Sequence, residues 1–347
     1  MDLPLPLLPM DKRNHPMNTQ ASKQPPIVTD FTRQFDIKYP IICAPMFLVS
    51  SVKMVTSVSD AGGMGTFPAL NYRPVERFRQ AIGEIKGKTA RPFGVNIIVQ
   101  KSNKYQQAQI DCVMEERVPL IITSLGNPKR VIKMAHEVGT KVYCDVVGMA
   151  HAKKAADLGA DGLIAVASGA GGHAGNISPF ALIPSIVHST GLPVVAAGCI
   201  ANGAAMAAAF ALGASAVYMG TRFIASEEAQ VDMDYKKAII QAKPEDIVNT
   251  DRVDGFPGNF ILTERLEKLG LSPHLLERIV AGFPKIKRWI SLSRAAKSLF
   301  GSRHSSASYS NVFSAGQGVG MIDDILSIEK IIEKTVAEYM NIRQALP

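Results

Sequence analysis

The sequence contains few cysteines, and none of them are spaced as pairs. Its four cysteines show no C-x-x-C spacing, the pattern typical of zinc sites and redox dithiols. They are Cys43, Cys112, Cys144 and Cys199. Three of them lie in apolar, strand-like runs, where a reduced cysteine packs as a small hydrophobic residue. We therefore expect no disulfide framework and no zinc site, and we predict a reducing, cytoplasmic environment.

The sequence also lacks long apolar runs and basic clusters. No run approaches the roughly 20 apolar residues that a membrane-spanning helix needs. Residues 3–8 are apolar, but prolines interrupt them and no basic segment precedes them, unlike a signal peptide. The formal net charge is +8, yet the basic residues are scattered, whereas nucleic-acid-binding proteins usually cluster them. We predict neither a membrane nor a nucleic acid as partner; the positive field favours small anionic ligands.

Several catalytic signatures are missing as well. The sequence has no Ser-His-Asp order, no HExxH helix and no cluster of metal-ligating residues. It also lacks a GxGxxG turn after its first apolar run, which an open dinucleotide-binding sheet usually carries. We therefore expect an organic cofactor to supply the chemistry.

Eight short apolar runs alternate with longer helical stretches. Runs of this kind are typical of parallel strands buried on both faces. Gly139, Gly159 and Gly213 each follow a helical stretch, where glycine ends a helix in the left-handed conformation. Eight such units predict an α/β fold, a (β/α)8 TIM barrel, with an open doubly wound sheet as the alternative. The candidate strands are 41–45, 63–68, 93–99, 120–125, 141–147, 162–168, 193–199 and 216–220.

The regular alternation predicts three parts of the chain. Residues 1–26, rich in Pro, Met, Asn and Gln, are expected to form a flexible N-terminal tail. The barrel is expected to comprise 27–224 and 313–347. Between these, 225–312 is predicted to be a mostly helical insertion covering the barrel mouth as a lid, with helical pieces at 233–243, 263–269 and 274–283. A flexible turn at 314–320 then leads into a final amphipathic helix at 322–342, with Ile325, Ile328, Ile332, Val336 and Tyr339 on one side.

The loops after the seventh and eighth candidate strands are candidates for binding a phosphate. Barrels most often hold a phosphate there, and glycines let backbone N–H groups approach an anion. Gly198 follows the seventh strand, and Gly220 and Thr221 follow the eighth. The N-terminus of a following helix would add positive charge. The alternative is that these glycines form tight turns only, and Arg222 is either a second contact or a surface charge.

The loop after the sixth strand contains four glycines and a histidine within residues 168–175. Such a loop is expected where something approaches the backbone closely. His173 can act there as an acid, a base or a hydrogen-bond donor; the alternative is a structural histidine that caps the next helix. Asn96 and Asp145 are polar residues in otherwise apolar strands, and each needs either a ligand or a core partner.

Together these segments resemble the nitronate monooxygenase family, formerly called 2-nitropropane dioxygenases, and the related FMN-dependent enoyl-ACP reductases. The resemblance covers roughly residues 33–342. The motifs that carry it are Ala44-Pro45-Met46, Gly94-Val95-Asn96-Ile97, residues 170–175, residues 197–201, Met219-Gly220-Thr221 and Ala315-Gly316-Gln317. Each motif alone is common, but their order and spacing are specific to the family.

The resemblance implies FMN bound non-covalently at the barrel mouth. Val166 is a departure, because many relatives carry a polar residue there that contacts FMN. By this resemblance, the residues that would line the isoalloxazine ring are Ala44, Pro45 and Met46, and Asn96 would hydrogen-bond the ring or the ribityl chain. Gly171 and Gly172 would pass close to the cofactor, and Gln317 would reach the flavin from the last loop. The phosphate would be held by Gly198, Gly220 and Thr221, and Met219 is also expected to contact the cofactor.

The resemblance also implies a reaction. The matching histidine, His173, would take the α-proton of a nitroalkane or hydrogen-bond the nitro group of a nitronate, which reacts with O2 to give a carbonyl compound and nitrite. The implied enzyme is a monomer or homodimer. A reductase that uses NAD(P)H on an enoyl thioester or quinone is the alternative, and a flavin-binding module without oxidase activity is another. An IMP-dehydrogenase-like barrel would need a cysteine in the loop after strand six, which is absent.

Overall fold

The computed structural model describes residues 25–100, 102–253, 255–269 and 312–345. Eight parallel strands lie in the order β1-β9-β8-β6-β5-β4-β3-β2, and a bridge between Ile42 and Met64 joins the two ends of this sheet. The predicted (β/α)8 barrel is therefore confirmed. Its strands are β1 (Ile41–Cys43), β2 (Gly65–Pro68), β3 (Phe93–Ile98), β4 (Leu120–Ser124), β5 (Lys141–Val146), β6 (Gly162–Val166), β8 (Val194–Ala197) and β9 (Ala216–Met219). The strand β7 (Gly172–His173) belongs to a second sheet.

Helices cover the outside of the barrel. An apolar layer of Ile, Val, Leu and Ala from strands and helices packs between the two. The helices that follow the barrel strands are α2 (Val52–Asp60), α3 (Val75–Lys88), α4 (Gln106–Glu115), α5 (Lys129–Glu137), α6 (Met149–Asp157), α7 (Pro179–Thr190), α8 (Gly203–Ala211) and the short α9 (Thr221–Ile224). Three of them, α5, α6 and α8, end two residues before Gly139, Gly159 and Gly213, the glycines that predicted helix ends.

A short helix that the sequence analysis did not predict, α1 (Asp30–Phe35), closes the N-terminal end of the barrel. Thr29 caps it, and both Phe31 and Phe35 are buried. Their rings lie edge-on to Tyr143 of β5, with centroids 5.6 and 6.0 Å away. Tyr143 also donates a hydrogen bond of 2.7 Å to Gln34. Because this end is plugged, the opposite end, where the strands terminate, is the mouth of the barrel.

The barrel interior contains apolar layers below and polar residues at the mouth. Alternate strand residues point inward, and the lower layers contain Ile42, Met64, Leu120, Ile122, Tyr143, Ile164, Val195 and Ala216. On five of the strands, the next inward-pointing residue lies two positions further along the chain and therefore nearer the mouth. We call these five residues the mouth layer: Asn96, Ser124, Asp145, Val166 and Tyr218. All but Asn96 are partly exposed, whereas the residues below them are buried.

The described part of the insertion after β9 contains two strands as well as helices, and the sequence did not predict these strands. The helices α10 (Met233–Gln241) and α11 (Glu264–Leu269) match the predicted pieces; the third, at 274–283, lies outside the described residues, as does almost all of the predicted tail. Between α10 and α11, β10 (Ile247–Thr250) and β11 (Gly258–Ile261) form an antiparallel hairpin. The hairpin was missed because its partner strand is distant in sequence: β11 pairs with β7, so that Gly258 faces His173 and Asn259 faces Gly172.

The C-terminal segment completes the outer ring. A 3-10 helix, Gln317–Met321, forms where a flexible turn was expected, and the final helix, α12 (Ile328–Ala345), begins six residues later than predicted. Ile325 therefore precedes the helix instead of lying on its apolar face. The buried face comprises Ile328, Ile331, Ile332, Thr335 and Val336. None of the helices within the described ranges combines the length and apolar character needed to cross a bilayer.

Candidate active site

The insertion holds the histidine loop through backbone and side-chain hydrogen bonds. His173 is exposed, and its ring packs edge-on against Phe256 with centroids 5.9 Å apart. The amide of Asn259 donates a hydrogen bond of 2.6 Å to the carbonyl of Ala170 and accepts one of 2.9 Å from Asn249. The loop is thus an edge strand of a small sheet, which fixes the position of His173 at the mouth end of β6.

The glycines of this loop allow a close approach by another part of the chain. A Cβ atom at Gly171 would lie 2.9 Å from the nitrogen of Gly316 and 3.0 Å from the carbonyl carbon of Ala315. Gly172 has a φ of 67°, which favours glycine, and it lies beside Ser314. These glycines were predicted to make room for a cofactor; at Gly171 the nearest neighbour is the segment 315–316 instead.

The three residues predicted to line the ring lie together at the mouth end of β1, three strands from β6 in the barrel order. Ala44, Pro45 and Met46 follow β1 and are all partly exposed. A Cβ atom at Gly220 would be in van der Waals contact with Ala44 and with the Met46 sulfur, each at 3.6 Å. The side chain of Met219 points the other way, into the buried layer between barrel and helices. Only its backbone reaches the mouth, where its carbonyl accepts a hydrogen bond from Ala44.

The loop after β8 has a conformation suited to an anion. Gly198 and Cys199 have φ values of 121° and 56°, and a positive φ at cysteine is strained, which is a feature of functional sites. Among the described residues, the backbone N–H groups of 198–201 have no backbone acceptor. Successive free N–H groups in such turns form concave anion-binding sites.

The N-terminus of α8, however, is already capped by protein groups. Asn202 accepts a hydrogen bond of 2.9 Å from the backbone of Ala205. Glu338 of α12 accepts one of 2.8 Å from the backbone of Gly203. The N-terminus of α8, which was predicted to add positive charge to a phosphate site, therefore faces Glu338 instead. The backbone N–H groups of 198–201 are the ones left for a ligand.

Three polar residues near this loop have distinct partners. The hydroxyl oxygen of Thr221 accepts a hydrogen bond of 3.0 Å from Gly316, which leaves its proton for another acceptor. Gln317 is exposed, and its backbone donates to the carbonyl of Gly169. Arg222 is buried and forms an ion pair of 2.9 Å with Asp324. Arg222 is therefore neither a surface charge nor placed to contact an anion at the mouth.

A chain of hydrogen bonds runs across the mouth layer. The Asn96 amide donates to the carbonyl of Ile122 at 3.2 Å and to the hydroxyl of Ser124 at 2.6 Å, and Ser124 donates to Asp145 Oδ2. Both amide protons of Asn96 are thus used, which leaves Oδ1 as its free group. Burial raises the pKa of Asp145 to about 6, although the bond from Ser124 lowers it.

Two oxygen atoms of the mouth layer have no hydrogen-bond partner. They are Asp145 Oδ1 and the hydroxyl of Tyr218, and both are shielded from solvent. The sequence analysis noted Asp145 without giving it a role, and it did not find Ser124 or Tyr218. The signal available was strand alternation: two residues before Tyr218 lies the inward-pointing Ala216, so Tyr218, not Met219, points into the barrel. Within the described ranges, no cluster of His, Cys, Asp and Glu could hold a metal ion.

Comparisons with known proteins agree with this geometry. The family model described as nitronate monooxygenase matches residues 29–109 and 100–338. A probable nitronate monooxygenase of Staphylococcus saprophyticus is 32% identical over 286 residues, which cover 70% of this chain and 80% of that protein. A 5-hydroxy-7a-methyl-1-oxo-octahydro-1H-indene-4-carboxyl-CoA dehydrogenase of Mycobacterium tuberculosis is 29% identical over 341 residues, 89% of this chain and 95% of that one.

Solved structures extend the likeness over nearly the whole chain. FabK from Thermotoga maritima superimposes with a TM-score of 0.78 at 33% identity, covering 92% of this chain and 98% of that one. A nitroalkane oxidase from Streptomyces ansochromogenes gives 0.74 at 25% identity, covering 91% and 99%. The protein is therefore a flavin-type oxidoreductase with a barrel fold and a histidine loop at the barrel mouth. Because the family model matches most of its length, the chain belongs to the nitronate monooxygenase family.

Proposed function

We propose that the protein binds FMN non-covalently and oxidises alkyl nitronates, or neutral nitroalkanes, with O2 to carbonyl compounds and nitrite. The observation that carries this proposal is the position of His173. The strand pairing with Gly258 and the ring contact with Phe256 hold an exposed histidine at the barrel mouth. A reaction that moves a proton at carbon, or stabilises a nitro group, needs such a group.

The residues around the mouth fit FMN. The turn at Gly198 and Cys199 presents free N–H groups suited to a phosphate, and Thr221 keeps a hydroxyl proton for it. Ala44, Pro45 and Met46 offer a partly exposed, largely apolar surface against Gly220. The unpartnered polar atoms of the mouth layer favour a polar ligand there, because a buried polar group without a partner is unfavourable.

In this proposal each protein group has a defined task. The FMN would accept electrons from the nitronate and pass them to O2. His173 takes the α-proton of a nitroalkane at its ring nitrogen or donates a hydrogen bond to a nitronate oxygen. Asn259 keeps the loop in place through the carbonyl of Ala170. The pairing of β11 with β7 holds the backbone of the same loop at the mouth.

Replacing the histidine tests the reaction. We expect His173→Ala to retain FMN but to lower kcat with propyl-2-nitronate by roughly 100-fold or more, because a positioned acid–base group contributes at least that factor. His188→Ala, an exposed histidine on α7, is the control and should turn over nitronate as the wild type does. A His173→Ala protein with FMN and full nitronate turnover would contradict the proposal.

A reductase is the second candidate, because two of the similar proteins are a carboxyl-CoA dehydrogenase and FabK. Anaerobic mixing separates the two reactions. Bleaching of the flavin by propyl-2-nitronate alone supports nitronate oxidation. Bleaching only by NADH, followed by reoxidation with an enoyl thioester, supports the reductase.

A further inference from the structure

Asp145 and Tyr218 lie inside the barrel, one step above its apolar layers. Asp145 follows Tyr143 by two residues on β5, and Tyr218 follows Ala216 by two on β9; both Tyr143 and Ala216 belong to the interior cluster. Because strand side chains alternate, Asp145 and Tyr218 point inward at the mouth end. Both residues are partly exposed there.

These two residues combine an acceptor and a donor that the protein leaves unused. Asp145 Oδ1 and the Tyr218 hydroxyl are shielded from solvent and have no hydrogen-bond partner. Leaving a buried polar atom without a hydrogen-bond partner is unfavourable. Two such atoms in one layer of a barrel are unusual, since native proteins pair nearly all buried polar groups.

The neighbouring residues fix what this pair can recognise. Ser124 donates to Asp145 Oδ2 and itself accepts from Asn96, so the carboxyl is held by one oxygen and presents the other. Val166, the mouth-layer residue on the strand beside Asp145, has no polar side-chain atom. Asp145 thus offers an acceptor for an N–H, and Tyr218 offers an O–H donor for a carbonyl.

We propose that Asp145 Oδ1 and the Tyr218 hydroxyl together bind an imide edge, an N–H beside a carbonyl, on the planar ring held at the mouth. In FMN that edge is the pyrimidine side of the ring, with N3–H for Asp145 and an adjacent carbonyl for Tyr218. This inference rests on the proposed use of FMN, and it assigns the ring recognition to β5 and β9 and not to β6.

Removing the hydroxyl of Tyr218 distinguishes a role in ligand binding from a role in stability. We expect Tyr218→Phe to leave the Tm of the apoprotein unchanged or raised, because it deletes an unpaired hydroxyl, while the Kd for FMN rises about tenfold. Tyr143→Phe is the matched control one layer below, where the hydroxyl is bonded to Gln34. It should lower the apoprotein Tm and leave the FMN Kd unchanged.

An analogue methylated at N3 tests the carboxyl. Wild-type apoprotein should bind 3-methyl-FMN about tenfold more weakly than FMN, since the analogue leaves the acceptor unpaired. Asp145→Asn keeps an acceptor and should keep part of this preference, whereas Asp145→Leu should lose it. Asp161→Asn, at the other end of the barrel, should discriminate between FMN and 3-methyl-FMN as the wild type does.

The outcomes distinguish this inference from the proposed function. If the wild type binds FMN and oxidises nitronates, but Tyr218→Phe binds FMN normally and Asp145→Leu still discriminates against 3-methyl-FMN, the inference alone is overturned. If the wild-type apoprotein binds no flavin, both are overturned. The inference is supported if Tyr218→Phe binds FMN more weakly while the Tm of its apoprotein stays unchanged or rises.

Discussion

At the scale of single residues, the structure shows how a polar group can be placed inside a barrel at some expense of stability. Asp145 is held by Ser124 through one oxygen, while the other is shielded and unpaired. Burial disfavours the charged carboxylate and raises its pKa to about 6 from 3.8. The folded state therefore holds this proton more tightly than the unfolded chain does.

The pH dependence of stability follows from that shift. Between about pH 4 and pH 6 the folded apoprotein binds more protons at Asp145 than the unfolded chain, so its stability falls as the pH rises through this window, by roughly 3 kcal/mol. We expect Asp145→Asn to remove this loss. The apoprotein Tm of the variant should match the wild type only below the unfolded pKa of 3.8, where both states hold the proton, and should exceed it at pH 8.

Asp161 provides a control of opposite sign. Burial raises its pKa, but hydrogen bonds from the backbone of Val142 and from Lys141 and His136 lower it overall. Its contribution is present above the unfolded pKa and lost as the pH falls. Asp161→Asn should therefore lower the Tm at pH 8. If Asp145→Asn lost stability at pH 8 in the same way, burial would not be the dominant influence on the Asp145 carboxyl.

At the scale of structural elements, glycines mark contacts between loops as well as contacts with ligands. Gly171 does not have a positive φ, so alanine is acceptable to its backbone. The obstacle is the segment 315–316, which lies within 3.0 Å of the position a Cβ would take. The backbone on both sides of this contact is fixed by the small sheet and by the bond from Gln317 to Gly169.

We therefore expect Gly171→Ala to lower the Tm and to weaken FMN binding, because the histidine loop and the 314–317 segment must move apart. Gly83→Ala in α3 is the control. Its Cβ would meet no atom within 4 Å, and replacing a helical glycine by alanine stabilises by about 1 kcal/mol. A Gly171→Ala protein with wild-type Tm and FMN affinity would show that the two loops are not in contact.

The elements also show where sequence reasoning succeeds. The eight barrel strands were predictable because each is an apolar run bounded by helices, as Leu120–Ser124 illustrates. The hairpin of β10 and β11 was not, because its pairing with Gly172–His173 joins segments more than 80 residues apart. Likewise, Gly198 and His173 stood out from composition, whereas Tyr218 required the inward or outward direction of its strand position.

At the scale of the whole molecule, the chain closes on itself through its last helix. Glu338 of α12 accepts a hydrogen bond from Gly203 at the start of α8. A Cβ atom at Gly203 would lie 2.3 Å from the backbone nitrogen of Tyr339, so the two helices are packed backbone to backbone at this point. The C-terminus is thus part of the barrel's outer ring.

We expect Glu338→Ala to lower the free energy of unfolding by about 1 kcal/mol, the usual effect of losing a helix cap. Glu333→Ala on the exposed side of the same helix should change it little. Chemical denaturation of both variants at pH 7 measures the difference. Equal stabilities would mean that the bond between Glu338 and Gly203 contributes nothing to closure.

The pairing of His173 with Gly258 has a consequence for exchanging parts between relatives. Strand side chains alternate faces at every residue. If a transplanted insertion paired with the loop one residue out of register, the histidine would turn to the opposite face of its strand. A functional chimaera must therefore take the β10–β11 hairpin and the glycine loop from the same parent protein, although the two segments are distant in sequence.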